Sequence, residues 1–217
     1  MPCELYCDAV LLDMDGTLVD STDCVVRHWR IWAERHQLDI DRVLEFAHGR
    51  PTLETMKLVA PHLASVDEVR WLEAAETADH NGIKPVRGAL PFVAALPTDR
   101  WAVVTSAPRR LAAERLSHAG LPVPSALVCS DDVRQGKPSP EPYLRAAELL
   151  RVAPESCLVF EDAPAGIESA RSAGMQVVAL TTTFPPERLH AGMYVADFAG
   201  VSVDQVAAAG ALRISLP

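Results

Sequence analysis

The sequence predicts an α/β fold in which a doubly wound parallel sheet carries an inserted all-helical cap domain. Short apolar runs alternate with amphipathic helical segments over the second half of the chain, as in repeated β–α units. The long stretch between the first apolar run and this alternating region has no strand-like alternation. Polar side chains directly follow several of the apolar runs. In a parallel sheet these positions meet at one edge, where ligands bind.

Composition limits the kinds of partner that the protein can have. The chain has 217 residues, enough for one domain with an insertion or for two small domains. Its net charge of −9 argues against a nucleic-acid or anionic-membrane partner. We find neither an apolar run long enough to span a bilayer nor a secretory signal. The five cysteines include no Cys-x-x-Cys pair, so we expect a reduced, cytoplasmic protein. We also expect a monomer or a weak dimer.

The first predicted strand covers 9–12 and runs into an acidic turn, Asp13-Met14-Asp15-Gly16-Thr17-Leu18-Val19. An apolar run that ends in polar residues and a glycine is typical of a buried strand followed by a turn. Gly16 permits a tight bend, and Thr17 offers a hydroxyl. An Asp-x-Asp pair alone fits an acidic loop, but the full string behind an apolar strand indicates an active site.

Four helices are predicted next. The first begins at Ser21 or Thr22, and the other three cover about 41–46, 52–62 and 66–79. Helices inserted directly after the first strand indicate a small lid rather than a continuation of the sheet. We therefore expect residues 20–83 to form a cap domain, and residues 1–19 together with 84–217 to form the core domain. Hinges are expected near 19–20 and 83–87.

The remaining predicted elements alternate between strand and helix. Strands are expected over 101–104, 126–129, 157–160 and 177–180, with helices over 109–119, 143–150 and 165–173. For the last part of the chain we predict a short helix near Val203 and an edge strand over 212–216.

Three further polar groups lie at or near the ends of these strands: Thr105-Ser106, Glu161-Asp162, and Lys137 within Gly136-Lys137-Pro138-Ser139-Pro140. Taken singly, the first two fit helix caps and Lys137 fits a surface lysine. Their shared position at the ends of parallel strands predicts that they converge on Asp13.

The order of these motifs resembles the haloacid dehalogenase-like superfamily, in its branch with a helical cap after the first motif. The resemblance is carried by the Asp13 string, by Gly-Lys-Pro-Ser-Pro-Glu-Pro-Tyr and by Phe-Glu-Asp-Ala-Pro-Ala-Gly-Ile, and it covers nearly the whole chain. The branch includes phosphatases of small sugar and glycerol phosphates, and β-phosphoglucomutase. One departure is Ala107-Pro108, where relatives often carry Gly-Ser, and it puts the substrate contact of that loop in doubt.

The resemblance implies a mechanism and a metal. Asp13 would be the nucleophile that forms an aspartyl-phosphate, and Asp15 the general acid and base. Mg²⁺ would be held by Asp13, the backbone carbonyl of Asp15 and Asp162, an all-oxygen set that suits this ion. The role of Glu161 stays open between a metal ligand and a residue that supports the ligands.

The resemblance also implies substrate contacts. Lys137 would neutralise charge on the phosphoryl group, while Thr105 and the Ser106 amide would bind its oxygens. Gly16 and Thr17 are expected at the same phosphoryl end. A further loop of the cap, His48-Gly49-Arg50, is expected to contact the rest of the substrate; without the resemblance it fits a helix–helix turn.

The expected activity is Mg²⁺-dependent hydrolysis of a small sugar or polyol phosphate monoester. The alternatives are a phosphomutase of the β-phosphoglucomutase type and a dedicated phosphatase of one phosphorylated biosynthetic intermediate. A dehalogenase is disfavoured because Asp15 would have no role in it. A non-catalytic phosphosugar sensor is disfavoured because the set of catalytic groups is complete.

Overall fold

The predicted parallel sheet is present in the computed structural model, which describes residues 3–206 and 211–217. Residues 1–2 and 207–210 of the predicted core domain lie outside the described residues. The strands are β1 (Cys3–Cys7), β2 (Ala9–Leu12), β3 (Val19–Asp20), β4 (Lys84–Pro85), β5 (Trp101–Val104), β6 (Leu127–Val128), β7 (Cys157–Glu161), β8 (Gln176–Leu180), β9 (Tyr194–Val195), β10 (Ser202–Val206) and β11 (Ala211–Leu216). The helices are α1 (Thr22–Arg35), α2 (Ile40–Ala47), α3 (Thr52–Val59), α4 (Val66–Ala78), α5 (Ala89–Ala95), α6 (Arg109–His118), α7 (Glu141–Leu150), α8 (Pro164–Ser172) and α9 (Pro186–Leu189). Two short 3-10 helices span Ser130–Asp132 and Pro154–Ser156.

The main sheet has six parallel strands in the order β6-β5-β2-β7-β8-β9. The strand that carries the acidic turn, β2, lies between β5 and β7. Leu12 is opposite both Val103 and Phe160, so these three strands end at nearly the same level. Residues that follow β2, β5 and β7 are therefore neighbours at one edge of the sheet.

Helices cover both faces of this sheet. Successive residues of a strand point to opposite sides, and in β2 both sides are apolar. Val10 and Leu12 pack in one buried cluster with α5 and α6, while Ala9 and Leu11 pack in another with α7 and α8. Burial on both faces explains why β2 reads as a continuous apolar run rather than as an alternating one.

Helix α5 was not predicted. It follows Gly88, whose φ of +81° suits a glycine, and it carries Pro91 in its first turn. A proline there is tolerated because the first backbone N–H groups of a helix have no intrahelical partner. Gly88 and Pro91 are thus both compatible with a short helix that begins at Ala89.

The inserted helices α1–α4 pack around an apolar cluster of their own. It contains Trp29, Trp32, Val43, Met56 and Leu72. The two tryptophan rings meet edge to face, with centroids 5.4 Å apart. This cluster gives the all-helical cap a separate core.

The predicted bounds of the inserted helices need one correction. Helix α3 ends at Val59 rather than at 62. Ala60 leaves the helical conformation directly before Pro61, and a residue before proline disfavours the helical region.

The two segments that join the cap helices to the sheet lie side by side. β3 and β4 pair antiparallel, with Val19 opposite Pro85 and Asp20 opposite Lys84. The Lys84 ammonium lies 3.2 Å from a carboxylate oxygen of Asp20. The chain thus leaves and re-enters the sheet domain through one short two-stranded ribbon.

The predictions for the last part of the chain were wrong in two respects. The segment at Val203 is strand β10 and not a helix, and β11 is the central strand of a separate antiparallel sheet, β1-β11-β10, rather than an edge strand. Alternate residues of β11 are buried, among them Leu212, Ile214 and Leu216. This alternation suits a sheet with one face on the core, and the polar, partly exposed β1 gave no signal for it.

Among the described residues, no helix combines the length and the apolar character that crossing a bilayer requires.

Candidate active site

The acidic turn after β2 is fixed by backbone bonds and by a glycine. The Asp13 amide donates to the carbonyl of Phe160 at 3.1 Å, which continues the pairing of β2 with β7. Gly16 has a φ of +81°, and a Cβ there would collide with the side chains of Asp162 and Thr183. Gly16 is therefore needed for the shape of the turn and for its close approach to Asp162.

Lys137 connects the ends of three strands, β2, β5 and β7. It is only 1% exposed, so it is not the surface lysine that its segment alone suggests. Its Nζ donates to Asp13 Oδ1 at 2.5 Å, to Glu161 Oε1 at 2.7 Å and to the carbonyl of Val104 at 3.0 Å. All three ammonium hydrogens are thereby used.

Glu161 supports this arrangement with both carboxylate oxygens. Oε1 accepts from Lys137 and, at 3.3 Å, from the Tyr143 hydroxyl, while Oε2 accepts from the amides of Asp162 and Ala163 at 2.8 Å each. A Cβ on Gly166 would collide with the Glu161 carboxylate. Glu161 is thus enclosed and saturated with hydrogen bonds.

Asp162 differs from Glu161 in the hydrogen bonding of its carboxylate oxygens. Oδ1 faces the Thr17 hydroxyl at 3.4 Å, and Oδ2 is buried without a hydrogen-bond partner among the described residues. Asp13, Glu161 and Asp162 each offer an oxygen within 4.8 Å of the others. Because a buried carboxylate oxygen without a partner is costly, and because the donor set is all oxygen, these residues fit a Mg²⁺ ion.

The pKa shifts indicate a shortage of positive charge. Burial raises the pKa of Asp13 to about 8, although the Lys137 ammonium lowers it. Burial, with the neighbouring Asp13 carboxylate, raises the pKa of Asp162 well above its ordinary value. Burial alone would lower the pKa of Lys137, but its two carboxylate partners outweigh this and raise it. A further cation would stabilise the ionised carboxylates.

Thr105 and Ser106, which follow β5, have local partners. The Thr105 hydroxyl accepts from the Ala107 amide at 3.1 Å, as in a helix-cap turn. The Ser106 hydroxyl donates to the carbonyl of Gly49 in the cap at 3.1 Å. Ser106 therefore joins the edge of the sheet to the cap loop.

Asp15 is held by two donors. The Ser21 hydroxyl donates to Asp15 Oδ1 at 2.6 Å, and Nη1 of Arg115 donates to the same oxygen at 2.8 Å. Nη2 of Arg115 donates to Glu76 Oε2 of helix α4 at 2.9 Å. Burial raises the pKa of Glu76, and the Arg115 guanidinium opposes this rise. One buried guanidinium thus links the proposed acid and base to the cap.

Arg115 and Glu76 were not predicted from the sequence, although a signal was present. Arg115 is 4% exposed and lies on the same face of α6 as Leu111 and Ala112, four and three residues earlier. Glu76 follows the buried Leu72 by four residues on α4. A charged residue within the apolar face of an amphipathic helix is rarely buried unless it is paired.

These groups surround a cleft between the sheet edge and the cap helices. Seven of the predicted site residues line it: Asp13, Asp15, His48, Gly49, Arg50, Thr105 and Ser106. The other five lie around Asp13 and Asp162 at the end of the sheet: Gly16, Thr17, Lys137, Glu161 and Asp162. Glu76 and Arg115 complete the polar lining together with Thr52.

The loop that carries His48, Gly49 and Arg50 is seated on the sheet domain. Gly49 has a φ of +77°, and a Cβ there would lie 2.5 Å from the Cβ of Ala163. The His48 ring meets Phe184 edge to face at 5.9 Å, and burial lowers the pKa of His48. The cleft is therefore closed on this side by close packing between the cap and the core.

Comparison with known proteins identifies the family. Residues 7–174 match the model of the haloacid dehalogenase-like hydrolases. Hexitol phosphatase A of Escherichia coli is 38% identical over 194 residues, which cover 86% of this chain and 88% of that protein. Glycerol-1-phosphate phosphohydrolase 2 of Saccharomyces cerevisiae is 34% identical over 196 residues, covering 84% and 78%.

A solved structure has the same fold. The crystal structure of a hydrolase from Pseudomonas syringae aligns with a TM-score of 0.79 at 24% identity, covering 88% of this chain and 94% of that one. The family match includes the strands that carry Asp13, Thr105 and Asp162, and the curated relatives span most of their own length. The chain belongs to the haloacid dehalogenase-like hydrolases.

Proposed function

We propose that this hydrolase is a Mg²⁺-dependent phosphatase that cleaves a small sugar or polyol phosphate monoester through an aspartyl-phosphate. The observation that carries the proposal is the Asp13 carboxylate, which lines the cleft, is paired with the buried Lys137 and has an oxygen within 4.8 Å of an oxygen of Asp162. The names of the hexitol and glycerol-1-phosphate relatives support the substrate class.

In the first step, an oxygen of Asp13 attacks phosphorus and the bond to the leaving alcohol breaks. Asp15 gives its proton to the departing oxygen. In the second step, Asp15 takes a proton from water while that water attacks phosphorus, which releases phosphate and regenerates the Asp13 carboxylate. Lys137 neutralises part of the charge on the phosphoryl oxygens. Mg²⁺, when bound, supplies the additional positive charge that the anionic phosphoryl group requires.

The other carboxylates of the site would have separate roles. Asp13 and Asp162 would hold the metal, with the Asp15 carbonyl as a further ligand. Glu161, whose oxygens are already occupied by four donors, would orient Lys137 and the start of α8. The Ser106 amide and the Thr105 hydroxyl would receive the phosphoryl oxygens, and Gly16 and Thr17 would shape that end of the site.

The domain organisation belongs to the same proposal. Residues 20–83 would form a cap domain, and residues 1–19 with 84–217 the catalytic core. The ribbon of β3 and β4 provides the hinge at which the cap opens to admit substrate and closes to exclude water. The cytoplasmic location and the monomeric or weakly dimeric state stay predictions.

The test is phosphate release from a panel of polyol and sugar monophosphates, with Mg²⁺ and with EDTA. We expect metal-dependent release, and a loss of about 10³-fold or more in Asp13→Asn, which keeps the shape of the side chain but not the nucleophile. Near-normal activity of this variant would exclude the aspartyl-phosphate route. Incubation with a hexose 1-phosphate separates the mutase alternative, because a mutase forms the 6-phosphate instead of releasing phosphate.

A further inference from the structure

The end of the cleft that receives the leaving group can be located from Asp15. This location rests on the proposed function, in which Asp15 protonates the leaving oxygen. The group attached to that oxygen must then occupy the cleft beside Asp15. Glu76 and Arg115 line this part of the cleft, and apolar walls are provided by Val25, Trp29 and Leu111. A polar pair beside apolar walls suits a small molecule with both C–H and O–H groups.

Arg115 is not available to bind an anionic leaving group. Its Nη1 is bonded to Asp15 and its Nη2 to Glu76, while Nε is buried and has no partner among the described residues. An arginine recognises a carboxylate or phosphate best with two free parallel N–H groups. Here both terminal nitrogens are already bonded to the protein's own carboxylates.

The charge balance beside Asp15 is negative. Two carboxylates, Asp15 and Glu76, share one guanidinium. Arg50 also lines the cleft, from the cap loop whose Gly49 carbonyl accepts a hydrogen bond from Ser106. A second anionic group placed between Asp15 and Glu76 would meet two carboxylates and a guanidinium that both of them already engage.

Glu76 retains hydrogen-bonding capacity. Its Oε2 accepts from Arg115, whereas its Oε1 takes no hydrogen bond from the described residues. The side chain is nearly buried yet lines the cleft. A carboxylate fixed in this way is a strong acceptor for a substrate hydroxyl.

We propose that Glu76 determines specificity by accepting a hydrogen bond from a hydroxyl of the leaving group and by repelling a leaving group that carries a carboxylate or a second phosphate. The substrate class is thereby narrowed to monophosphates of uncharged polyhydroxy compounds. Arg115 is a positioning residue, because it holds Glu76 and Asp15 at a fixed separation.

The experiment uses two substrates that differ at one carbon. Racemic glycerol 1-phosphate ends in CH₂OH where racemic 3-phosphoglycerate ends in a carboxylate. We expect the wild type at pH 8 with Mg²⁺ to prefer glycerol 1-phosphate by at least about tenfold in kcat/KM, the effect of one charged hydrogen bond. Glu76→Gln keeps an oxygen for Arg115 and removes the negative charge. It should lower this preference by about tenfold or more, mainly through KM.

Two controls separate specificity from folding. Glu73→Gln makes the same change one turn earlier on α4, at a side chain that does not line the cleft, and should leave the preference unchanged. Hydrolysis of 4-nitrophenyl phosphate, which offers no hydroxyl, is the reference reaction and should fall less than hydrolysis of glycerol 1-phosphate in Glu76→Gln. A larger fall would be expected only if Asp15 were displaced.

Two results would overturn the inference while leaving the phosphatase proposal in place. One is a wild type that cleaves 3-phosphoglycerate as well as glycerol 1-phosphate, which requires no variant to fold. The other is an equal loss on all three substrates in Glu76→Gln, which would make Glu76 a link between cap and core only. If the wild type released no phosphate from any of them or from the panel of polyol and sugar monophosphates, the proposed function and this inference would both be wrong.

Discussion

At the scale of single residues, the charge of the proposed site is set by Lys137 and the carboxylates around it. One ammonium group faces Asp13 and Glu161, with Asp162 adjacent, so the carboxylates outnumber the cation. The negative charge of Glu161 is stabilised by hydrogen bonds, because four donors bond to its two oxygens. One Asp162 oxygen has no hydrogen-bond partner in the part of the chain that the structure describes. This difference distinguishes a supporting carboxylate from a proposed metal ligand.

A pair of variants tests that distinction. Asp162→Asn removes the proposed ligand charge and should abolish the rise in Tm that Mg²⁺ gives to the wild type. Glu161→Gln should retain a rise with Mg²⁺ but lower the free energy of unfolding by about 3 kcal/mol, because it breaks a buried ion pair and turns an amide N–H toward other donors. The measurements are thermal unfolding with and without Mg²⁺, and urea unfolding of each protein.

The wild type under the same conditions is the reference for both variants. If Glu161→Gln lost its response to Mg²⁺ while Asp162→Asn kept it, the assignment of the two carboxylates would have to be exchanged.

Some of these site residues could be predicted from the sequence and others could not, for physical reasons. Lys137 could be placed near Asp13 because its loop follows a strand of the parallel sheet. Its three hydrogen bonds could not be foreseen, since they depend on how far the loop is buried. Arg115 was missed because it belongs to the middle of a helix and contacts the site from the side, where the rule that ligands gather at strand ends gives no guidance.

At the scale of elements, the loop between α2 and α3 is one contact of the cap with the core near the cleft. The Gly49 carbonyl accepts a hydrogen bond from Ser106. Because Gly49 has no side chain, the loop can also pack closely against Ala163. The core strands and helices that were predicted lie within two residues of their observed bounds, because each is an apolar run of clear period, whereas α5, α9 and β9 were not predicted. The prediction for the tail was wrong because β11 pairs with the distant β1, and β10 pairs with β11.

Gly49→Ala tests the seating of this loop, with Gly174→Ala as its matched control. Both glycines have positive φ, +77° and +81°, so each alanine should cost about 1 kcal/mol of backbone strain. Only at Gly49 does the new Cβ meet a neighbour, Ala163, whereas Gly174 has open space. We expect kcat/KM to fall by roughly tenfold or more in Gly49→Ala because the loop must shift.

The control variant should lose only the backbone strain of about 1 kcal/mol in urea unfolding and should keep its activity. Equal activity of the two variants would mean that the cleft tolerates displacement of this loop, and that the loop does not position substrate.

At the scale of the whole molecule, the buried acids of the site oppose folding unless a cation joins them. The chain carries a net charge of −9, so long-range repulsion adds to the local cost of burying Asp13 and Asp162. Both carboxyls have a raised pKa in the folded protein. A raised pKa means that the folded state binds protons more tightly than the unfolded state, so the contribution of these groups to stability is present at low pH and is lost as the pH rises toward 8.

Mg²⁺ competes with these protons, and this gives the last prediction. Below neutral pH the ion must displace protons from Asp13 and Asp162, whereas above pH 8, beyond the pKa of about 8 for Asp13, it meets an ionised carboxylate. We therefore expect the rise in Tm on adding Mg²⁺ to be larger at pH 8.5 than at pH 6. The measurement is thermal unfolding at three pH values with and without the ion, using Asp162→Asn as the protein that lacks the proposed ligand. A rise in Tm that is equal at all three values, or largest at pH 6, would show that Mg²⁺ binds elsewhere than at these two buried carboxylates.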